Sequence, residues 1–301
     1  MTITKTGSTS GSTSGRETLQ IRGALYWRSD NDDNDNNDGN NDNDTDNENK
    51  SPSYESVRQQ TYSVSAWSRP AARPVVIAVV KDASDVQACL QWAQQQQPQY
   101  TVCVRSGGHN WFESSLQQDT LLLDLSQLNG CQIDATTATA TVEPACLGQA
   151  LNEAAAAHGL CFPNGHCPGV PVGGFLLGGG FGWFADFYGL SVQSVIGVTV
   201  VAAAGEVVHA TDEMHAANDW MWLCRGSGSA FPGVMIWFTV RLHPLPAIIK
   251  SRTLTTIQPW PSIYARGDCR GRFPQRWKPV WSWRRRHQAW WRPWVSLRFA
   301  L

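Results

Sequence analysis

Short apolar runs alternate with segments of helical periodicity through the middle of the chain, between Pro70 and Pro246. Apolar runs bounded by polar or glycine residues are typical of buried strands, whereas inward positions three or four residues apart are typical of amphipathic helices. The pattern predicts strands over residues 74–80, 100–105, 121–125 and 234–242, a hairpin over 131–144, and two strands within 195–209. It predicts helices over Ala83–Gln95, with Val86, Leu90 and Ala93 inward, and over Leu147–His158, ended by Gly159. This mixture predicts an α+β domain.

A glycine turn, Arg105-Ser106-Gly107-Gly108-His109, directly follows one predicted strand. Several backbone N–H groups that converge on a pyrophosphate hold it well, and such a nest needs positive φ angles and no Cβ. Gly-Gly meets both needs. Arg105 can be a surface charge or a cation beside a bound phosphate, and the position next to the turn favours the phosphate. The turn therefore predicts a phosphate site with His109 as a nucleophile beside it.

A second glycine-rich segment, Gly165–Gly182, comes later in the chain. Each glycine costs roughly 0.5–1 kcal/mol of ordering entropy relative to alanine. The segment therefore predicts neither an ordinary helix nor an ordinary strand, and a bound group is expected to offset this cost. A flexible linker is the alternative, but Phe175, Phe181 and Trp183 are poor linker residues. Cys167 is a second candidate nucleophile.

The two segments together resemble the FAD-linked oxidases of the berberine bridge enzyme-like group, in the vanillyl-alcohol oxidase/p-cresol methylhydroxylase (PCMH) superfamily. The ordered motifs that carry the resemblance are residues 105–109, 165–168, 173–182, 188–190 and 225–228. The resemblance implies a PCMH-type FAD-binding fold, in which FAD lies between two small α/β subdomains. It also implies a covalent bond from His109 to the C8 methyl of the flavin. In many relatives a cysteine is bonded to C6, which corresponds here to Cys167, but some relatives have only the histidyl bond.

The predicted cofactor site consists of the residues that match these motifs. They are Arg105, Ser106, Gly107, Gly108, His109, Cys167, Pro168, Val170, Gly173, Gly174, Gly178, Gly179, Gly180 and Gly182. The catalytic residues are not assigned, because relatives take the base from a substrate domain that nothing here matches. No metal site is predicted.

The resemblance implies an oxidoreductase. In such proteins an alcohol, sugar or amine-type substrate gives hydride to covalently linked FAD, and O2 reoxidises the cofactor. The implied partners are therefore a small-molecule substrate and O2. A catalytically inactive FAD-binding remnant is the alternative. A nucleotide-sugar reductase with non-covalent FAD and NADPH is disfavoured, since it does not need His109.

Both ends of the chain differ in composition from the predicted FAD-binding domain, residues 70–246. Asp and Asn dominate residues 29–50, which predicts a disordered insert between a lead-in (1–28) and an approach to the domain (51–69). The tail, residues 247–301, is rich in Trp and Arg and resembles no substrate domain. We expect a truncated chain whose tail is an out-of-frame or mis-spliced translation. Nucleic-acid binding by the tail is the competing interpretation.

Charge and cysteine content add two constraints. The formal net charge of −1 reflects cancellation between the acidic insert and the basic tail. The eight cysteines show no CxxC spacing, so neither a zinc site nor a disulfide framework is predicted. No secretory signal and no uninterrupted apolar span of about 20 residues is visible. The expectation is a soluble and, by default, cytoplasmic protein without nucleic-acid or membrane partners, of unpredicted oligomeric state.

Overall fold

The chain divides into two compact units, Met1–Pro244 and Leu245–Leu301. A computed structural model describes residues 19–28, 52–61, 72–110, 114–214, 218–247, 250–256 and 294–300. The predicted disordered insert lies outside the described residues.

The first unit contains a four-stranded sheet with three parallel strands. In chain order its strands are β1 (Ala24–Trp27), β2 (Val76–Val79), β3 (Val102–Arg105) and β4 (Leu121–Asp124). The order across the sheet is β1-β2-β4-β3, with β1 antiparallel to β2 and the other pairs parallel. Every residue of β4 is buried, as expected for an inner strand covered on both faces. The carboxyl ends of β3 and β4 lie side by side.

Two helices pack against this sheet. Helix α1 covers Tyr54–Arg58, and helix α2 covers Ala83–Gln95, the predicted range. The Asp82 side chain caps α2 by accepting hydrogen bonds from backbone N–H groups of its first turn. The predicted inward residues of α2 are all buried: Val86, Leu90 and Ala93.

The same unit contains a five-stranded antiparallel sheet. Its strands are β5 (Cys131–Asp134), β6 (Thr139–Val142), β8 (Val195–Ala202), β9 (Val207–Thr211) and β10 (Gly233–Arg241), in the order β5-β6-β10-β8-β9. A small pair joins β7 (Leu160–Cys161) to β11 (His243–Pro244). The other α-helices that the structure describes in this unit are α3 (Gly148–Ala156), α4 (Val172–Leu177), α5 (Ala185–Tyr188) and α6 (Asn218–Cys224). Among the described helices, none combines the length and the apolarity that a membrane span requires.

Helix α2 lies between the two sheets. Its buried face shares an apolar cluster with Val201 of β8 and with Val234 and Ile236 of β10. The Gln87 side chain also donates to the carbonyl of Gly205 at 2.6 Å. The predicted α+β class is therefore confirmed, with one helix tying a mainly parallel sheet to an antiparallel one.

One part of the sequence interpretation is wrong. Residues 172–177 form helix α4 inside the segment that was expected to contain no ordinary helix. The helix is stable there because Val172 and Leu176 are buried. In addition, the N–H groups of Val172 and Gly173 donate to the carbonyls of Cys146 and Pro144, which satisfies two otherwise unpaired donors.

The lead-in and approach segments form part of the first unit. Strand β1 extends the four-stranded sheet, and α1 packs Tyr54 and Val57 against Ile77 and Leu122. The N–H groups of Arg22 and Gly23 donate to the buried Asp85 carboxylate in α2. Residues 19–28 and 52–61 are therefore structural parts of this unit.

In the second unit the structure describes two strands. Strand β12 (Lys250–Thr256) pairs antiparallel with β13 (Trp294–Ala300) over seven residue pairs. The tail showed no clear strand period in its sequence, so this pairing was not predicted. The residues between the two strands lie outside the described ranges.

Candidate functional site

The first glycine turn lies where two parallel strands end. Strand β3 ends at Arg105, which pairs with Asp124 at the end of β4, and Ser106–Asn110 follow. Ligands of open parallel sheets commonly bind beyond the carboxyl ends of the strands. Gly108 has a φ of 65°, in the left-handed region that favours glycine.

The backbone of this turn presents open donors. Among the residues that the structure describes, the N–H groups of Ser106, Gly107 and Gly108 donate to no protein acceptor. Gly108 is buried, and a buried donor without a partner costs about 1–3 kcal/mol. An anion in this position would satisfy these donors together, as the sequence predicts for a diphosphate.

Arg105 has a different environment from the one expected beside a phosphate. Its side chain is 2% exposed and forms an ion pair with Asp124, donating from Nε at 2.9 Å and from Nη2 at 2.5 Å. The guanidinium also donates to the carbonyls of Arg58 at 3.1 Å and Val57 at 2.8 Å. The Arg105 charge is therefore engaged inside the protein, and it fastens the start of the turn to the end of α1. The expectation that this charge faces a phosphate has no support in this geometry.

Residues after α1 pack directly on the turn. The Thr61 hydroxyl donates to the Gly108 carbonyl at 3.1 Å. A Cβ on Gly108 would lie 2.6 Å from the Gln60 carbonyl oxygen, too close for any larger residue. The approach segment thus holds the turn from one side.

The two glycine-rich segments meet at Pro171. A Cβ on Gly107 would lie 2.6 Å from Pro171 Cδ and closer still to its Cγ. Pro171 also forms an isolated β-bridge with Leu147. The structure therefore brings the first turn into direct contact with the second segment. The sequence predicted that both segments belong to one cofactor site, but it did not predict this contact.

The second segment rests on the start of helix α3. The carbonyls of Val170 and Pro168 accept from the N–H groups of Gly148 and Gln149 at 3.0 and 3.3 Å. These amides begin α3, whose N-cap residue provides no side-chain cap. The carbonyls of the second turn therefore cap the helix, while Cys167 remains exposed.

Several predicted cofactor-binding glycines are explained by contacts within the protein. A Cβ on Gly173 would lie 2.8 Å from the Pro144 carbonyl oxygen, and one on Gly180 would lie 2.6 Å from Ser191 Cβ. A Cβ on Gly182 would overlap the Asn164 carbonyl. Gly179 and Gly180 also have positive φ angles of 96° and 69°. Close packing at Gly173, Gly180 and Gly182 and the left-handed backbone at Gly179 and Gly180 thus account for these glycines without a ligand.

Gly174 differs from its neighbours. It is exposed and has no positive φ, and a Cβ placed on it would meet no atom of the described residues within 4 Å. Gly178 is exposed too, and its nearest atom, the Gly174 carbonyl oxygen, would lie 3.3 Å from such a Cβ. Neither strain nor close packing within the described residues requires glycine at position 174.

The two candidate nucleophiles differ in exposure. His109 is half-buried, and burial lowers the pKa of its imidazole. The neutral form of the ring therefore dominates at pH 7. Cys167 is exposed, and the ring of the preceding His166 lies edge-on to Trp183 with 3.7 Å between centroids.

Three contact residues were missed by the sequence interpretation: Thr61, Asp124 and Pro171. Asp124 had a usable signal, because a carboxylate inside the apolar run Leu121–Leu125 must find a buried cation. Thr61 and Pro171 had no such signal, since each reaches the first turn from a part of the chain distant in sequence.

Residues 74–211 match the FAD binding domain family. FAD-linked oxidoreductase ptmO of Penicillium ochrochloron is 34% identical over 211 residues, which cover 70% of this chain and 44% of that protein. Berberine bridge enzyme-like 24 of Arabidopsis thaliana is 34% identical over 160 residues, 50% of this chain and 29% of that protein.

Solved structures agree with this likeness. The 6-hydroxy-D-nicotine oxidase of Arthrobacter nicotinovorans superposes with a TM-score of 0.63 at 26% identity, over 79% of this chain and 46% of that chain. Phl p 4.0202, a glucose dehydrogenase, gives a TM-score of 0.62 at 29% identity, over 69% of this chain and 43% of that chain.

The chain therefore contains an FAD-binding domain of the PCMH-type fold. Its relatives are FAD-linked oxidoreductases and berberine bridge enzyme-like proteins, so the resemblance predicted from the sequence is confirmed. The chain spans less than half the length of these relatives.

The residues present fit the diphosphate end of FAD. Within the described part of the chain, the three N–H groups of the first turn have no acceptor, and the exposed Gly174 has open space beside its α-carbon. A neutral imidazole follows directly after the donors. This donor set suits an anionic, ring-bearing cofactor.

Proposed function

We propose that this chain binds FAD across its two glycine-rich segments and belongs to an oxidoreductase that oxidises an alcohol, sugar or amine-type substrate with O2 as acceptor. The observation that carries the proposal is the turn at Ser106–Gly108, whose N–H groups have no acceptor among the described residues. This turn contacts Pro171 and is followed by His109. The relatives named above support the oxidoreductase class.

Each part of the site has its own task in this proposal. The N–H groups of Ser106, Gly107 and Gly108 bind the diphosphate oxygens. The imidazole of His109 would hold the flavin covalently, and the exposed Cys167 is the candidate for a second attachment. Bound FAD supplies the acceptor for substrate hydride. The protein contributes orientation through Arg105, whose ion pair holds the turn in place.

A visible spectrum before and after acid precipitation tests cofactor and attachment together. We expect the full chain, prepared with FAD, to be yellow and its acid-precipitated pellet to stay yellow. A colourless protein that takes up no added FAD would contradict the proposal of an FAD site. A yellow protein with a colourless pellet would retain the site and contradict the covalent bond.

Turnover is tested separately by hydrogen peroxide release with alcohols, sugars and amines. Peroxide formation above the free-flavin background, lost in His109→Ala, is the result expected for an oxidase. Stable flavin binding without peroxide and without reduction by any substrate would favour an inactive FAD-binding remnant.

Alanine substitutions at two adjacent glycines, Gly173 and Gly174, can distinguish a ligand contact from a packing requirement. We expect Gly174→Ala to leave the free energy of unfolding unchanged or raised by up to about 1 kcal/mol, because alanine is the better helix former and its Cβ meets open space. The added methyl should nevertheless weaken FAD binding. Urea unfolding of the apoprotein and FAD titration measure the two effects.

Gly173→Ala is the matched control. Its Cβ would press on the Pro144 carbonyl, so we expect a loss of about 1–3 kcal/mol in the free energy of unfolding. If Gly174→Ala binds FAD as tightly as the unmodified chain, the cofactor does not approach Gly174, and that residue leaves the proposed site.

A further inference from the structure

Two cysteines outside the flavin turns are brought together by strand register. Cys131 begins β5 and lies directly opposite Val142 of β6 in the antiparallel pair. Side chains that face each other in such a pair point to the same side, with Cβ atoms about 4.5–5.5 Å apart. Val142 is completely buried, so the Cys131 side chain also points toward the core.

A tight turn then returns the chain to the same place. The N–H of Cys146 donates to the Glu143 carbonyl at 3.0 Å, which closes a four-residue turn after β6. The N–H of Glu143 donates to the Gly130 carbonyl at 2.9 Å and holds this turn beside the start of β5. Cys131 and Cys146 consequently pack in one apolar cluster.

We propose that Cys131 and Cys146 form a redox pair that a peroxide-class oxidant converts into a disulfide. In the first step the half-buried Cys131 thiol takes one oxygen from hydrogen peroxide, giving a sulfenic acid and water. In the second step the Cys146 sulfur displaces the hydroxyl of that sulfenic acid, and its thiol proton leaves with it as a second water. One peroxide is reduced to two waters while two thiols become one disulfide.

The two thiols are suited to different steps. Cys146 is 1% exposed, so an oxidant in solvent reaches Cys131 first. Burial raises the pKa of the Cys146 thiol to about 12, and the neighbouring Cys131 adds to the effect. Cys146 is therefore almost entirely in the thiol form at pH 7, and because the attacking species is the thiolate, the second step is expected to be the slower one.

The proposed bond would act on the second glycine-rich segment. The Cys146 carbonyl accepts from the Val172 N–H at 2.9 Å, at the start of α4. The next residue, Leu147, bridges to Pro171, which contacts the first turn. A disulfide would therefore fasten the β5–β6 hairpin to the chain segment that supports both turns. The proposal does not depend on FAD binding, because the oxidant is added from solution.

The test begins with the fully reduced chain, residues 1–301, freed of reductant and treated with increasing hydrogen peroxide. We expect a non-reducing peptide map to contain Cys131 and Cys146 in one linked pair, with an intact mass lower by two hydrogen atoms. The midpoint of urea unfolding should rise on oxidation and return after dithiothreitol. A map with Cys131 over-oxidised and Cys146 still reduced would overturn the proposal.

Variants assign the linkage. Cys131→Ser and Cys146→Ser should each abolish the linked pair. Cys103→Ser, a buried cysteine of a different cluster, and Cys167→Ser, an exposed one, should both retain it. A wild-type map that joins Cys131 to any other cysteine would also overturn the proposal. This readout needs no variant, so it decides the matter even where a core substitution prevents folding.

Discussion

His109→Ala is expected to abolish covalent attachment of flavin through the first turn. Alanine has no nucleophilic atom, whereas the half-buried His109 carries a neutral imidazole at pH 7 because burial lowers its pKa. The N–H donors of Ser106–Gly108 are backbone groups and remain, so the variant should still bind FAD reversibly. Acid precipitation then decides: flavin should appear in the supernatant of the variant and in the pellet of the unmodified protein.

A bond from Cys167 to the flavin would reduce the amount of flavin that His109→Ala releases. If Cys167 also bonds to the flavin, part of the chromophore stays in the His109→Ala pellet, and only His109→Ala combined with Cys167→Ala releases it completely. His158→Ala, a substitution at an exposed histidine after α3, should change nothing. Flavin retained by the acid-precipitated double variant would contradict both attachment residues.

The sequence predicted those elements whose signals are local. Helix α2 has an Asp82 cap and a regular apolar stripe, so its range was predicted correctly. Strand β1 was not, because it joins the sheet by pairing with β2 across the long acidic tract. The same is true of α1, whose contact with the first turn depends on Thr61 and Gln60 after its end. Pairing between distant segments leaves no periodicity for a sequence pattern to reveal.

The glycines of the candidate site illustrate the same limit in another way. Their positions were visible in the sequence, but each was attributed to a bound cofactor. Gly173, Gly180 and Gly182 are required by neighbouring protein atoms, whereas Gly174 has open space. A missing Cβ looks the same in sequence whether a ligand or the chain itself occupies its place, so only the structure separates the two causes.

Arg105→Ala and Asp124→Ala are each expected to lower the free energy of unfolding by about 3–5 kcal/mol, because each leaves one buried charge without its partner. The two side chains are 2% and 3% exposed. Urea unfolding of the apoprotein measures the loss. Asp212→Ala is the matched control: its ion pair with Arg225 is exposed, and such pairs contribute about 0–1 kcal/mol.

Removing both buried charges separates stability from positioning. The double variant Arg105→Met with Asp124→Leu should lose less than the sum of the single variants, since no unpaired charge remains in the core. It should not recover the attachment of flavin, because the anchor from Arg105 to the Val57 and Arg58 carbonyls is also gone. A well-folded double variant with a fully yellow acid pellet would show that Arg105 stabilises the fold but is not needed to position His109. A folded double variant whose flavin is released by acid would show that Arg105 positions the turn that carries His109.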